Sequence, residues 1–373
     1  MKQLSLLFVF LCIVGGFSAC MRDDDEPAVI RRDISRLYVS TSDYNGNSGN
    51  NFHNVFVLDP ADSSVFPPAN RDSIYQFTSA AKGGSFINFS PFSGGLLFQG
   101  SQNSPVYVDT AVQIMNVSNT GVLRNIGRLG TRKFNDVRGL AYTIVNEGNL
   151  SDDYLLVLNT DTMFVVDRPT SKGSSSLVKA RYHMPLNYNP WGINISNRDV
   201  FVSSYANEER PEAINGVVVY KDLTSKFVSN SPDSLLSGYA RFDLTISDVE
   251  NVRGLSYSKE KDLLVVTDFS GAGNNSVGRI LFFEKFSQYT SSQTIVPNRV
   301  IKSSLLKQPL DVAIDTRSTG RFIYVADPIA KRVFRFNITD DGVNVEPNAQ
   351  IDLFGRTPVS VSLDARSAED FNL

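Results

Sequence analysis

The sequence predicts an all-β fold: a six-bladed β-propeller of four-stranded antiparallel blades, closed by the C-terminal strand joining the N-terminal blade. Three observations predict it. A short phrase returns six times, its starts lying 53, 53, 62, 57 and 49 residues apart. It reads Phe86-Ile87-Asn88-Phe89, Gly139-Leu140-Ala141-Tyr142, Gly192-Ile193-Asn194-Ile195, Gly254-Leu255-Ser256-Tyr257, Asp311-Val312-Ala313-Ile314 and Ser360-Val361-Ser362-Leu363. Further short apolar runs follow the phrases, and the two ends of the chain carry complementary fragments of one blade. A period near 50 residues made of short strands marks a propeller array, because no such unit can bury its faces alone.

In chain order, the first strand-like runs are 36–40, 54–59 and 74–77. They match second, third and fourth strands, with no inner strand before them. The phrase at 192 is followed by runs at 199–205 and 216–220, the phrase at 254 by 263–268 and 279–283, and the phrase at 311 by 322–327 and 333–336. These runs are β-branched and aromatic, and Gly, Asn, Asp and Pro bound them. A weaker fourth run follows at 240–244 and at 351–353. Four antiparallel strands per unit is the blade pattern. The sixth phrase, 358–363, has only a short tail after it. Joined to the N-terminal runs it completes one blade and removes the free edges of a linear array. No long stretch shows helical periodicity, so little α-helix is expected.

The phrase has its own packing logic. Alternate residues of a strand point to opposite faces. Ala141, Asn194, Ser256, Ala313 and Ser362 share one face and are small; Leu140, Ile193, Leu255, Val312 and Val361 share the other and are bulky. A blade lies between two neighbours, so large against small fits a wedge near the axis. The phrases are thus read as packing, with any chemistry beside them.

Lys2 and the apolar run 4–14 read as a leader, too short to span a bilayer. Phe17-Ser18-Ala19-Cys20 follows and resembles the lipobox of bacterial lipoproteins, with Phe17 in place of the usual Leu. The resemblance implies that Cys20 is lipidated and holds the protein on a membrane, since two or more acyl chains anchor stably. The alternative is an ordinary signal peptide cut after Ala19. The acidic run Asp23-Asp24-Asp25-Glu26 resembles the surface-export signal of Bacteroidetes lipoproteins and implies a surface-exposed outer-membrane location. The expected division is a leader over 1–19, a lipidated cysteine with an acidic tether over 20–35, and the propeller over 36–373.

Composition excludes several classes. Of the two cysteines, Cys12 leaves with the leader, so no disulfide framework or thiolate metal site is expected. Two histidines, His53 and His183, cannot form a histidine cluster. A net charge of −3 gives no reason to expect nucleic acid as a partner. No other apolar run approaches membrane-spanning length, so the body reads as soluble.

The segments 309–337 and 189–195 resemble NHL-type repeats. Propellers of that kind serve as binding platforms and as enzymes, so the resemblance speaks to fold rather than function. Loops converge where the chain enters the inner strands. The residue before each phrase is Ser85, Arg138, Trp191, Arg253, Leu310 or Val359. Arg138, Trp191 and Arg253 are the candidate ligand-binding residues. A guanidinium can fork onto a carboxylate or sulfate, and an indole offers a face to a sugar ring or a cation. The ligand expected is a glycan or an envelope or host protein. The same residues could instead tie blades together and plug the channel. Gluconolactonase-like propellers, also six-bladed, hold a divalent cation in the channel. Resemblance to them implies Asn88, Asn194 and Asp311 as candidate Ca²⁺ ligands of a hydrolase or lactonase. Otherwise no cofactor is expected. A scaffold in an outer-membrane complex is the third reading.

Overall fold

The computed structural model describes residues 33–44, 52–102, 111–131, 133–147, 150–173, 178–227 and 233–368. The leader, Cys20 and the acidic run lie outside the described residues. The compact unit Ile34–Arg366 is the propeller; its first strand begins at Ile34, where the sequence placed Arg36.

Six sheets make six blades. Blade 1 is the joint: the inner strand Pro358–Arg366 pairs antiparallel with Ile34–Thr41, which pairs with Val55–Leu58 and then Tyr75–Phe77. Blade 2 starts at the inner strand Gly84–Ser90, blade 3 at Gly139–Glu147, blade 4 at Asn189–Ser196, blade 5 at Leu255–Ser258 and blade 6 at Asp311–Ile314. The expected closure is present over its whole length, from Ile34 opposite Arg366 to Thr41 opposite Pro358. Among the described residues the one α-helical segment is Pro169–Lys172.

Three blades carry a fifth strand that the sequence did not reveal. Ser234–Leu235, Gln293–Ile295 and Gly342–Val343 each pair in parallel with the outermost strand of the preceding blade. They are two or three residues long, too short for a periodic signal. Each covers part of an otherwise free edge and stitches neighbours together at the rim. A second unread device follows the third strands of blades 3, 4 and 5. Arg168, Asp222 and Lys285 take left-handed φ values of 45°, 51° and 52° and turn the chain into a short helical turn.

The core is six hydrophobic clusters, each built from the facing sides of two neighbouring blades. The large-against-small logic holds: Ala141 shares a cluster with Ile193, and Ala313 with Val361. Each fully buried Val, Leu, Ile or Phe contributes about 1.5–3 kcal/mol, so every interface is held by many such side chains.

The first position of the phrase sets how closely inner strands approach. A Cβ on Gly254 would lie 2.4 Å from the Asp311 Cα, and one on Gly139 would lie 2.9 Å from the Trp191 carbonyl oxygen. Glycine is there because the next strand's backbone passes at contact distance. At Asp311 the gap is bridged instead. Its Oδ2 accepts from the Val361 N–H at 3.0 Å and from the Ser360 hydroxyl, while its Oδ1 accepts from its neighbour's N–H, Val312, at 2.9 Å. The Ser360 oxygen in turn accepts from the Ile87 N–H at 3.0 Å. One chain of polar contacts thus links blades 6, 1 and 2 across the joint. Burial pushes the Asp311 carboxyl up to about 7, against the pull of those three hydrogen bonds.

Candidate functional site

The inner strands do more than pack. All six phrases line the central channel, a cavity of about 180 Å³. Their N-terminal ends meet at one mouth. There Ser85, Asp136, Arg138, Trp191, Leu310 and Val359 line a depression of about 90 Å³. Five of the six residues that precede the phrases therefore converge. Arg253, the sixth, is not among the residues that line it, but its guanidinium carbon lies 4.8 Å from the Trp191 centroid.

Local backbone geometry explains why these side chains point inward. In blade 4, Pro190 pairs with Ser204 and Ile193 with Val202, so Trp191 and Gly192 together oppose Ser203. This is a β-bulge, which bends a strand and re-aims its side chains. The Ser203 hydroxyl secures it by accepting from the Gly192 N–H at 2.7 Å. Blade 2 has the same irregularity between Gly84 and Ile87, and blade 1 between Pro358 and Ser360. The bulges fall at Ser85, Trp191 and Val359, all on the mouth.

Trp191 is the centre of the arrangement. Its Nε1 donates to the Leu310 carbonyl at 3.1 Å, tying blade 4 to the residue that precedes blade 6. Phe86 and Tyr205 meet its ring edge-on, with centroids at 5.8 and 6.2 Å. The Arg138 and Arg253 guanidinium carbons lie 5.4 and 4.8 Å from its centroid. Arg253 also lies 3.7 Å from the Tyr205 centroid and 5.2 Å from that of Phe269. Arg138 donates from Nε to Asp136 at 3.1 Å and from Nη1 to the Tyr205 hydroxyl at 3.0 Å. Arg253 donates to the Val252 carbonyl at 3.0 Å and forms no ion pair among the described residues.

Two cations thus share one aromatic group; Asp136 pairs with Arg138, and the negative charge of Asp268 acts on Arg253. Arg253 is 8% exposed. Burial pulls its pKa down to about 10, and the positive charge of Arg138 acts in the same direction. It stays charged at neutral pH. Each cation–π contact offsets part of its desolvation, about 0.5–2 kcal/mol. Ser85 lines the same depression, with a buried hydroxyl that has no hydrogen-bond partner among the described residues.

Tyr205 and Phe269 were not singled out from the sequence, although a signal existed. Val202 pairs with Ile193, and Val266 with Leu255, both in the second position of their phrases. Three residues beyond lie Tyr205 and Phe269. Aligning second strands as well as inner ones would have found them.

Asn88, Asn194 and Asp311 all line the channel cavity. Both Asp311 oxygens already accept hydrogen bonds from the protein. Among the described residues, no three His, Cys, Asp or Glu side chains group as a metal set.

No protein-family model matches the sequence, and no curated protein matches it. Similar solved structures include apo AztD from Citrobacter koseri, at 10% identity and a TM-score of 0.41, over 90% of this chain and 99% of that one. The holo form of the pyranose dehydrogenase PQQ domain from Coprinopsis cinerea matches at 9% identity and a TM-score of 0.46, over 78% and 92%. The PQQ-bound aldose sugar dehydrogenase of Streptomyces coelicolor matches at 12% identity and 0.43, over 79% and 91%. Identities this low say nothing about the site.

Proposed function

We propose that the chain is a lipid-anchored binding module of the bacterial cell envelope, which holds an acidic group of a glycan or of an envelope or host protein at the channel mouth. The observation that carries this reading is the Arg138–Trp191–Arg253 group: two guanidinium groups on one indole, of which Arg253 forms no ion pair among the described residues. An anion there would gain charge-assisted hydrogen bonds and relieve the repulsion between the cations. A depression of about 90 Å³ suits a carboxylate or sulfate group rather than a whole sugar ring, since pockets that enclose small ligands run to about 300–1,000 Å³. The rest of the ligand would lie across the mouth. The envelope location rests on the leader and Cys20, which the sequence alone supports.

The chain has a single tryptophan, so its fluorescence reports on the mouth directly. Titration with heparin oligosaccharides, polygalacturonate oligomers and sialyllactose is expected to give saturable changes for at least one, weakened by added salt. Arg138→Ala with Arg253→Ala is expected to weaken binding about thirtyfold, which corresponds to about 2 kcal/mol. Equal affinity in wild type and double variant would refute the reading. The channel cavity shared by Asn88, Asn194 and Asp311 is the one observation favouring a Ca²⁺-dependent hydrolase. Calorimetric titration with Ca²⁺ tests it, and Asp311→Asn should abolish any heat from that site.

A further inference from the structure

We propose a second ligand site, for a neutral sugar ring, between blades 4 and 5 at the strand ends remote from the mouth. It does not depend on the reading of the mouth. The mouth lies at the N-terminal ends of the inner strands. This cavity instead lies beside Ser196 and Asn197, where the inner strand of blade 4 ends, and beside Tyr257, near the end of that of blade 5. Its volume is about 430 Å³, within the range of about 300–1,000 Å³ typical of small-ligand pockets.

One wall is aromatic: Phe201 and Phe286 are buried in the core between blades 4 and 5, and Tyr257 and Tyr289 are half-buried at its edge. Phe201 meets Tyr257 and Phe286 edge-on at 5.3 and 5.5 Å, and Phe286 meets Tyr289 edge-on at 5.8 Å. Phe286 is placed by the helical turn that follows the left-handed Lys285. Tyr289 is only half-buried and presents ring surface to solvent. Such a wall suits the C–H face of a pyranose, which is apolar although its rim carries hydroxyls.

The rim of the cavity is polar and held in place. Asn197 and Asp262 sit in left-handed turns at φ 55° and 44°. Asp262 accepts from the Tyr257 hydroxyl at 2.9 Å, and from the Ser287 N–H and hydroxyl at 2.9 and 2.7 Å. Asp199 accepts from the Asp222 N–H at 2.9 Å and pairs with Lys221. Lys259 donates to the Asn197 carboxamide oxygen at 3.0 Å. The cavity thus carries two carboxylates and two ammonium groups. Each ammonium has three N–H groups, so donors remain for a ligand, and carboxylate lone pairs remain as acceptors. The charges cancel. An anion or a cation would find one sign opposing it, and a wholly apolar ligand would desolvate four charges without return. A ring with one apolar face and several hydroxyls satisfies both the wall and the rim.

The test is saturation-transfer NMR and calorimetry on the full chain with the methyl glycosides of glucose, galactose, mannose and N-acetylglucosamine. Glucuronate and glucosamine serve as charged comparators. At least one neutral glycoside is expected to saturate the protein. Tyr289→Ala and Lys259→Ala should each weaken it at least about tenfold; Tyr289→Ala also removes the edge contact with Phe286 and is expected to lower stability, whereas Lys259→Ala, at an exposed position, should leave the unfolding transition unchanged. Tyr289→Phe should restore most of the affinity, and Arg138→Ala should leave it untouched. The proposal is overturned if none of the four neutral glycosides binds, if binding survives both alanine variants, or if a charged comparator binds this cavity more tightly.

Discussion

Asp311→Asn is expected to destabilise the propeller, and to do so far more at pH 5 than at pH 8. Above about pH 7 the wild-type carboxylate accepts from two strands at the joint between blades 6 and 1. A carboxamide has one acceptor oxygen, so one buried N–H would lose its partner, at a cost of about 1–3 kcal/mol. The pH dependence has a separate origin. Burial raises the folded pKa of Asp311 to about 7, from an ordinary 3.8. Between those values the folded protein binds the proton more tightly than the unfolded chain does. This group's contribution to stability is therefore full below about pH 4, falls as pH rises, and levels off above about pH 7. Asparagine does not titrate, so the gap between wild type and variant should narrow by roughly 3 kcal/mol from pH 5 to pH 8. Urea unfolding of both proteins at intervals across that range measures it. A gap that does not change with pH would mean that the carboxyl titrates near its ordinary value.

Gly254→Ala is expected to cost about 3 kcal/mol or more, an unusual penalty for one methyl group. The added Cβ would lie 2.4 Å from the Asp311 Cα and 2.8 Å from the Val312 nitrogen. Both are backbone atoms of the next blade, and no rotamer change can relieve the clash. The inner strands of blades 5 and 6 must separate, which loosens the interface behind them. Gly192 provides the internal comparison. Its nearest neighbour, the Leu255 nitrogen, would be 3.0 Å away, so a shift of a few tenths of an ångström suffices and Gly192→Ala should cost distinctly less. Equal losses in denaturant unfolding would show that close approach is not what selects glycine here.

Much of the fold was legible because propeller blades repeat. Aligning the six phrases located the inner strands. The missing outer strands after Ser360, and the missing inner strand before Arg36, forced the closure seen between Pro358–Arg366 and Ile34–Thr41. The same alignment brought Ser85, Arg138, Trp191, Leu310 and Val359 to one mouth. Other features had no local signal. A two-residue strand such as Ser234–Leu235 is defined only by the edge it meets. The left-handed Arg168, Asp222 and Lys285 are three different residue types of mixed charge, and none of them is a residue type that marks a left-handed turn as glycine does. The sequence grouped Asp311 with Asn88 and Asn194 as a candidate ligand; in the structure its carboxylate also bridges to the closing strand.

The sequence by itself determined the number of blades, their order, the joint and the residues that reach the channel mouth. Each of these follows from chain period and strand alternation, which a linear pattern records. Only the tertiary structure decided that Arg253 lies against both Trp191 and Tyr205, that Arg138 shares that indole, and that Phe201 and Phe286 close one wall from two blades. Those arrangements depend on distances and ring orientations between side chains some 50 to 85 positions apart. Periodicity brings such residues to the same height in neighbouring blades; bulges, turns and packing set which way they point.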